Sequence, residues 1–98
     1  MLEVTCTKEL LVFNAAASKI LQHTKLVIFL LDEENRVAGV GRGREGDANS
    51  YPLTFNESKS ECAVSAGLFL ATTGLWDSGT HECRRGHGRV LLEWDIPR

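Results

Sequence analysis

The sequence has no long hydrophobic run and no surplus of basic residues, and each absence argues against a class of protein. The longest uninterrupted apolar run, Leu26 to Leu31, is far shorter than the roughly 20 residues of a membrane-spanning helix. A formal net charge of −2 gives no general attraction to phosphate backbones. We therefore expect neither a membrane span nor a nucleic-acid partner.

The sequence also predicts neither a signal peptide nor a disulfide framework. The N-terminus has no basic region followed by an apolar core. Three cysteines, Cys6, Cys62 and Cys83, form an odd set without CxxC spacing, which is typical of thiols in a reducing compartment. We therefore expect a cytoplasmic location and free thiols. The alternative to three free thiols is a single Cys6–Cys83 bridge.

What is present is the composition of an ordinary globular domain. The chain has 98 residues, 43% of them apolar and 24% charged, with only 2 prolines. A chain of this size buries enough apolar surface to fold alone. We predict a single domain over residues 1–98.

The first half of the chain contains patterns for a strand, a helix and a hairpin. Residues 2–6 alternate apolar and polar positions, which favours a strand. Apolar residues recur at helical spacing from Leu10 to Leu21 after Thr7, a potential cap, and predict a helix over residues 8–22. Residues 25–31 and 36–41 then predict the two strands of a hairpin.

The second half repeats this order after a loop rich in glycine at residues 41–50. Residues 51–55 alternate like a strand. The spacing of Ser58 and Glu61 resembles a capping box, and Gly74 is typical of a helix end, so we predict a helix over residues 59–73. Segments 80–85 and 90–96 predict a closing hairpin.

These elements predict an α+β fold, with an antiparallel-rich sheet of about six strands and two helices packed on one face. The element order is β-α-β-β-β-α-β-β. An offset of about 52 residues aligns Val12 with Val64, so we predict two pseudo-repeats, 1–46 and 47–98. By pattern, the chain resembles duplicated strand-helix-strand-strand modules.

The leading functional hypothesis is a non-catalytic module that binds a small ligand or a protein. Both faces of the last strand carry apolar groups, and a sheet with helices on one face leaves the other face open, so we expect a homodimer. A small anionic ligand would suit arginines, which cluster on the glycine-rich loop and around the second hairpin turn. The candidate ligand contacts are Arg42, Arg44, Arg85 and Trp94. Other residues singled out are Arg84, His87 and Arg89 near that turn, and Tyr51 as a pocket residue.

An alternative hypothesis is a metal or reactive-thiol site. Cys62, His81, Cys83 and His87 offer nitrogen and sulfur ligands for a tetrahedral zinc ion. Cys83 is followed directly by Arg84, and Cys62 lies near the start of the second predicted helix. Both settings favour a thiolate. No aspartate or asparagine is spaced to orient a His-Cys pair, so we favour a protein that is not an enzyme. We also expect no cofactor, with zinc as the alternative.

A further alternative comes from two short segments. Residues 77–83, from Asp77 to Cys83, resemble the segment before the second cysteine of immunoglobulin variable domains, and residues 2–6 resemble the strand that holds the first. The resemblance implies a secreted β-sandwich, a receptor fragment in which Cys6 and Cys83 pair. The tyrosine of that pattern is His81 here, and no tryptophan follows Cys6 at the expected interval.

Overall fold

The protein is mostly β-sheet, as the computed structural model of residues 1–97 shows. The strands are β1 (Glu3–Cys6), β2 (Leu10–Phe13), β3 (Leu26–Asp32), β4 (Val37–Arg42), β5 (Tyr51–Asn56), β6 (Glu61–Ser65), β7 (Gly79–Glu82), β8 (Arg84–Arg85) and β9 (Val90–Asp95). The two helices, α1 (Ala15–Ile20) and α2 (Gly67–Thr73), are both short.

All the strands lie in one antiparallel sheet that closes almost completely on itself. The strand order is β7-β1-β2-β6-β5-β3-β4-β9-β8. The two strands at the ends of this order are consecutive along the chain, with only Cys83 between them. Their segment pairs with β1 through β7 and with β9 through β8, and the Cys83 amide donates to the Leu2 carbonyl at 2.9 Å. The result is a nearly closed, barrel-like sheet whose inner face forms the core.

The centre of this core is an aromatic contact between opposite parts of the sheet. Trp94 of β9 and Phe13 of β2 are both fully buried, and their rings meet edge to face with centroids 6.2 Å apart. Contacts of this geometry stabilise a core beyond simple area burial. Helix α1 packs beside them, against β1, β2, β6 and β9.

The predicted α+β fold, with about six strands and two helices on one face, is therefore wrong. The structure has nine strands among the described residues, and the sheet curves into a barrel-like form instead of leaving one face open. The main cause is that the N-terminal parts of both predicted helices are strands, β2 and β6, which pair with each other.

The first predicted helix, residues 8–22, fails in its N-terminal half. Leu11 and Phe13 are fully buried and alternate with more exposed neighbours, which is the two-residue period of a strand. Thr7, the expected cap, instead holds the β1–β2 turn. Its Oγ1 accepts from the Leu10 amide at 2.9 Å and donates to the Leu10 carbonyl at 3.1 Å.

The helix that does form begins after Asn14. The Asn14 side-chain oxygen accepts from the amide of Ala17 at 3.0 Å, which is the hydrogen bond of an N-cap. The same oxygen accepts from the Glu3 amide at 3.2 Å, and the side-chain amide donates to the Met1 carbonyl at 2.8 Å. Asn14 thus fixes the start of α1 against the first strand.

The second predicted helix, residues 59–73, fails in the same way. The expected capping box is the turn between β5 and β6, where Ser60 has a left-handed φ of 54° and its amide donates to the Glu57 carbonyl. Cys62 and Val64 then point into the core with the two-residue period of a strand. Only residues from Gly67 onward are helical.

Several local predictions are confirmed. Gly74 ends α2 in the left-handed conformation, with φ 78°, as its chemistry predicted. The first hairpin, predicted at 25–31 and 36–41, corresponds to β3 and β4, and the strand predicted at 51–55 corresponds to β5. The closing hairpin is formed by β8 and β9, but β7, from the first predicted arm, pairs with β1.

The alternative fold, an immunoglobulin-like β-sandwich, is also wrong, because the described strands form one barrel-like sheet instead of two packed sheets. The cysteines of residues 1–97 are all free. Cys83 lies beside Leu2, four residues along β1 from Cys6, which is about 13 Å at about 3.3 Å per residue. A disulfide needs Cα atoms about 4.4–6.8 Å apart. The register of β1 against β7 therefore keeps the two thiols apart.

The strand pairings of the two halves correspond to one another. Each half contributes two antiparallel hairpins, with a helix between them: β1–β2 and β3–β4, then β5–β6 and β8–β9. Between halves, β2 pairs with β6, β4 with β9, β3 with β5 and β1 with β7. The pseudo-repeats 1–46 and 47–98 stay a prediction.

Enclosure of the inner face removes the original reason to expect a homodimer. That expectation rested on an open sheet face that a second copy would cover. The inner face instead contains the fully buried core, including Val4, Val40 and Leu92. The homodimer stays a prediction, which light scattering at several concentrations tests.

Candidate functional site

One concave surface of the protein lies beside helix α2 and has a volume of about 460 Å³. We call it the α2 cleft. Its walls come from β3, from the loop before β5, from α2 and from the turn before β9. The lining residues used below are Phe29, Asp47, Tyr51, Leu68, Phe69 and Arg89.

Three aromatic rings form one wall of the α2 cleft. The ring centroids of Phe29 and Tyr51 lie 4.7 Å apart, and those of Phe29 and Phe69 lie 4.8 Å apart with a 19° angle between the planes. All three side chains are half-buried, so they pack against the core and still border the cleft. Such a wall offers flat apolar surface for another ring.

The rim of the cleft is unusually apolar at one point and charged at two others. Leu68 is 80% exposed on the first turn of α2. Arg89 is exposed and makes no ion pair within residues 1–97. Asp47 stands on the loop, where its side chain accepts from the Asn49 amide at 2.9 Å. The rim thus carries the Arg89 guanidinium, which has no ion-pair partner within residues 1–97, and the Asp47 carboxylate, which accepts a hydrogen bond within its own loop.

A close backbone approach positions Arg89. Gly41 of β4 lies so near the turn before β9 that a Cβ atom there would be 2.5 Å from the Arg89 carbonyl oxygen. The register between β4 and β9 shifts at the same point, between Val40 and Gly41. Glycine allows a contact that no other residue type could make without moving the backbone. The missing Cβ at position 41 therefore helps to set where Arg89 enters the cleft.

The four candidate ligand contacts named from the sequence do not line the α2 cleft. Arg42, Arg44 and Arg85 are exposed at other positions, and Trp94 is fully buried in the core. The regions around them do meet there, because the glycine-rich loop and the second hairpin turn both border the cleft. Of the other residues singled out, Tyr51 and Arg89 line it.

The arginines of the second hairpin are not all free, because Arg84 is paired with acidic residues of β9, whereas Arg85 and Arg89 make no ion pair within residues 1–97. The Arg84 guanidinium lies 2.7 Å from a carboxylate oxygen of Glu93 and 3.2 Å from one of Asp95. These cross-strand pairs neutralise its charge. Arg84 therefore serves the β8–β9 hairpin, and Arg89 is the arginine of this turn that borders a cleft.

The four nitrogen and sulfur candidates for a metal site are not brought together. Cys62 is buried in β6, where it accepts a hydrogen bond from Ser18 at 3.3 Å. His81 in β7 bonds through Nε2 to the Ser78 hydroxyl at 2.8 Å, and His87 is exposed in the turn after β8. Within residues 1–97 no group of three or more His, Cys, Asp or Glu side chains could hold a metal ion.

The thiols are in environments that oppose ionisation. Burial raises the pKa of Cys6 and of Cys62, and hydrogen bonds from serines offset part of that effect. Burial, reinforced by the negative charges of Glu3 and Glu82, raises the pKa of Cys83 to about 11. A nucleophilic thiol needs a lowered pKa and access to solvent. These cysteines have neither.

Comparison with known proteins gives no relative on which to anchor a function. The chain matches no family model, no curated protein and no solved structure. Helices long and apolar enough to cross a membrane are absent from residues 1–97.

Proposed function

We propose that this protein is a non-catalytic binding module whose α2 cleft takes a small ligand with an apolar ring and a carboxylate. The single observation that carries the proposal is the junction of an aromatic wall with an unpaired arginine at one concave surface. Binding sites for small molecules typically combine an apolar lining with a few polar groups that fix orientation.

Each part of the ligand follows from a part of the cleft. A ring would lie against Phe29, Tyr51 and Phe69, whose faces favour offset or edge contacts with another ring. The Arg89 guanidinium, a planar fork of donors, suits a carboxylate in two parallel hydrogen bonds. Asp47, which also lines the cleft, would repel a second negative charge, which favours a ligand with one anionic group.

The buried thiols support a non-catalytic role. Cys83 has a pKa of about 11 and therefore carries little thiolate near neutral pH. Among residues 1–97, no cysteine or histidine lines the α2 cleft. A cytoplasmic location stays part of the proposal.

The direct test is an NMR titration of the protein with 3-phenylpropionate. We expect amide shifts concentrated at residues 47–51, 68–72 and 89. The neutral analogue 3-phenylpropanol should bind more weakly, because it cannot pair with Arg89. Arg89→Gln should weaken 3-phenylpropionate by about fivefold or more, and leave the alcohol unchanged.

Arg42→Gln is the matched control, because Arg42 is also an exposed arginine but lies outside the cleft. It should bind like the wild type. Leu68→Ala tests the apolar rim and should weaken both compounds. Shifts spread over other surfaces, or equal loss in Arg42→Gln and Arg89→Gln, would reject the α2 cleft as the site.

A further inference from the structure

A second concave surface lies at the other helix, where the chain leaves α1 and enters β3. It is an open cavity of about 540 Å³, which we call the α1 cavity. Its lining residues are Gln22, His23, Thr24, Lys25, Leu53 and Phe55. None of them belongs to the α2 cleft.

The apolar part of the α1 cavity is an exposed aromatic ring. Phe55 is 40% exposed at its position on β5, although most large apolar side chains of this protein are buried. Leu53, two residues earlier on the same strand, is half-buried and lines the cavity with it. Together they form an apolar wall on which a planar ring could stack.

Phe55 borders two depressions that differ in their charged residues. In the described part of the chain, the lining of the α1 cavity includes Lys25 and no acidic residue. The neighbouring depression, which shares Gln22 and Phe55, is lined by two glutamates, one of them Glu61, and by Lys19. An anionic group near Phe55 is therefore favoured on the side of Lys25.

A buried hydroxyl gives independent evidence for a polar ligand. Thr24 is 2% exposed, and its Oγ1 has no hydrogen-bond partner within residues 1–97. Buried polar groups are nearly always paired, and leaving one unpaired costs free energy. Thr24 lines the α1 cavity although its Oγ1 is itself buried, so a rotation of this side chain towards the cavity would let a ligand oxygen complete its hydrogen bonding.

We propose that the α1 cavity binds a planar aromatic ring that carries a phosphate. The ring would stack on Phe55. The phosphate would accept hydrogen bonds from the Lys25 ammonium, the Gln22 side-chain amide and the Thr24 hydroxyl. A phosphate matches this set because its oxygens accept from several donors at once, and lysine binds it as a point charge.

The proposal is tested by NMR titration with phenyl phosphate, and with inorganic phosphate and benzyl alcohol as its two separate parts. We expect phenyl phosphate to shift the amides of residues 22–25 and 53–55. Each part alone should bind about tenfold more weakly or worse, because ring and charge contribute together. Inorganic phosphate that binds as well as phenyl phosphate would overturn the role of the ring.

Variants separate the contributions and keep the test independent of the α2 cleft. Lys25→Gln and Phe55→Leu should each weaken phenyl phosphate by about fivefold or more. Thr24→Val, which keeps the side-chain shape, should weaken it as well. Lys19→Gln is the matched control and should bind like the wild type, because Lys19 lines the neighbouring depression and not the α1 cavity.

Two further results would overturn the proposal. One is the absence of localised shifts up to about 10 mM phenyl phosphate, the range of very weak binding. The other is an equal loss of binding in Lys19→Gln and Lys25→Gln. The dispersion of each variant's spectrum shows whether it is folded. Arg89→Gln should leave phenyl phosphate binding unchanged. The proposal for the α1 cavity can therefore hold or fail independently of the proposal for the α2 cleft.

Discussion

Replacing Gly41 by alanine should destabilise the protein and disturb the α2 cleft at the same time. An added Cβ would lie 2.5 Å from the Arg89 carbonyl oxygen and 3.2 Å from Cδ1 of Leu30. The leucine can rotate away, but the carbonyl belongs to the backbone and must move. Overpacking of this kind costs about 1–3 kcal/mol.

Gly67→Ala is the matched control for this experiment. Gly67 is the first residue of α2, its φ is not positive, and no atom lies within 4 Å of an added Cβ. Alanine there restricts the unfolded chain, so we expect stability to be unchanged or to rise by about 0.4–1 kcal/mol. The two substitutions are chemically identical, yet only Gly41→Ala should lower the free energy of unfolding.

Thermal and urea unfolding measure both effects. For a domain of this size, a loss of about 2 kcal/mol lowers Tm by about 8–16 °C. Gly41→Ala should also weaken 3-phenylpropionate binding, because the shifted carbonyl belongs to Arg89. Equal stability of Gly41→Ala and the wild type would refute the close contact between β4 and the turn before β9.

Three other predictions follow from single residues. Asn14→Ala should lower the free energy of unfolding in urea by about 1–2 kcal/mol, because Asn14 caps α1 and binds β1. Asn14→Asp keeps the acceptor oxygen and should lower it less. Equal losses in the two variants would contradict the cap. The pKa of Cys83 is raised from 9.0 to about 11 in the folded protein, so its contribution to the free energy of unfolding is complete below pH 9 and is lost as pH rises from 9 to 11. Cys83→Ala should lack that part of the alkaline decline, and identical pH profiles would contradict it. Iodide should quench the fluorescence of Trp76, which is 52% exposed, and should leave buried Trp94 unaffected, so a Trp76→Phe variant that is still quenched would contradict the enclosed core.

Structural features that depend on residues close together in the sequence were predictable from it. The turn of the first hairpin is held by Asp32, whose side chain accepts from the Asn35 amide at 3.1 Å, and both residue types favour turns. Gly74 ends α2 for a similarly local reason, because its left-handed conformation is easiest for glycine.

The strands β2 and β6 could not be read in this way. The residues from Leu10 to Phe13 are all apolar, so the same stretch satisfies a helical period and a strand period. What decides between them is pairing of Leu11 with Val64, more than fifty residues away. The apparent cap at Ser58 added a second local signal that tertiary pairing overrode.

The candidate site was predictable by region and not by residue. The loop before β5 and the turn before β9 were singled out from glycine and arginine content, and both border the α2 cleft. Phe29 and Phe69 were not singled out from the sequence, because half-burial at a cleft wall leaves no pattern distinct from that of a core residue. Trp94, considered a ligand contact, lies in the core because β9 closes against β4.

The central claim is that the sheet closes through the segment on both sides of Cys83, with β2 paired to β6. A NOESY spectrum of isotope-labelled protein tests it most directly. We predict cross-strand contacts between Val12 and Ala63, and contacts from the Cys83 segment to β1 on one side and to β9 on the other. Helical contacts running through residues 8–13 and 59–65, with no contact between β2 and β6, would contradict the claim.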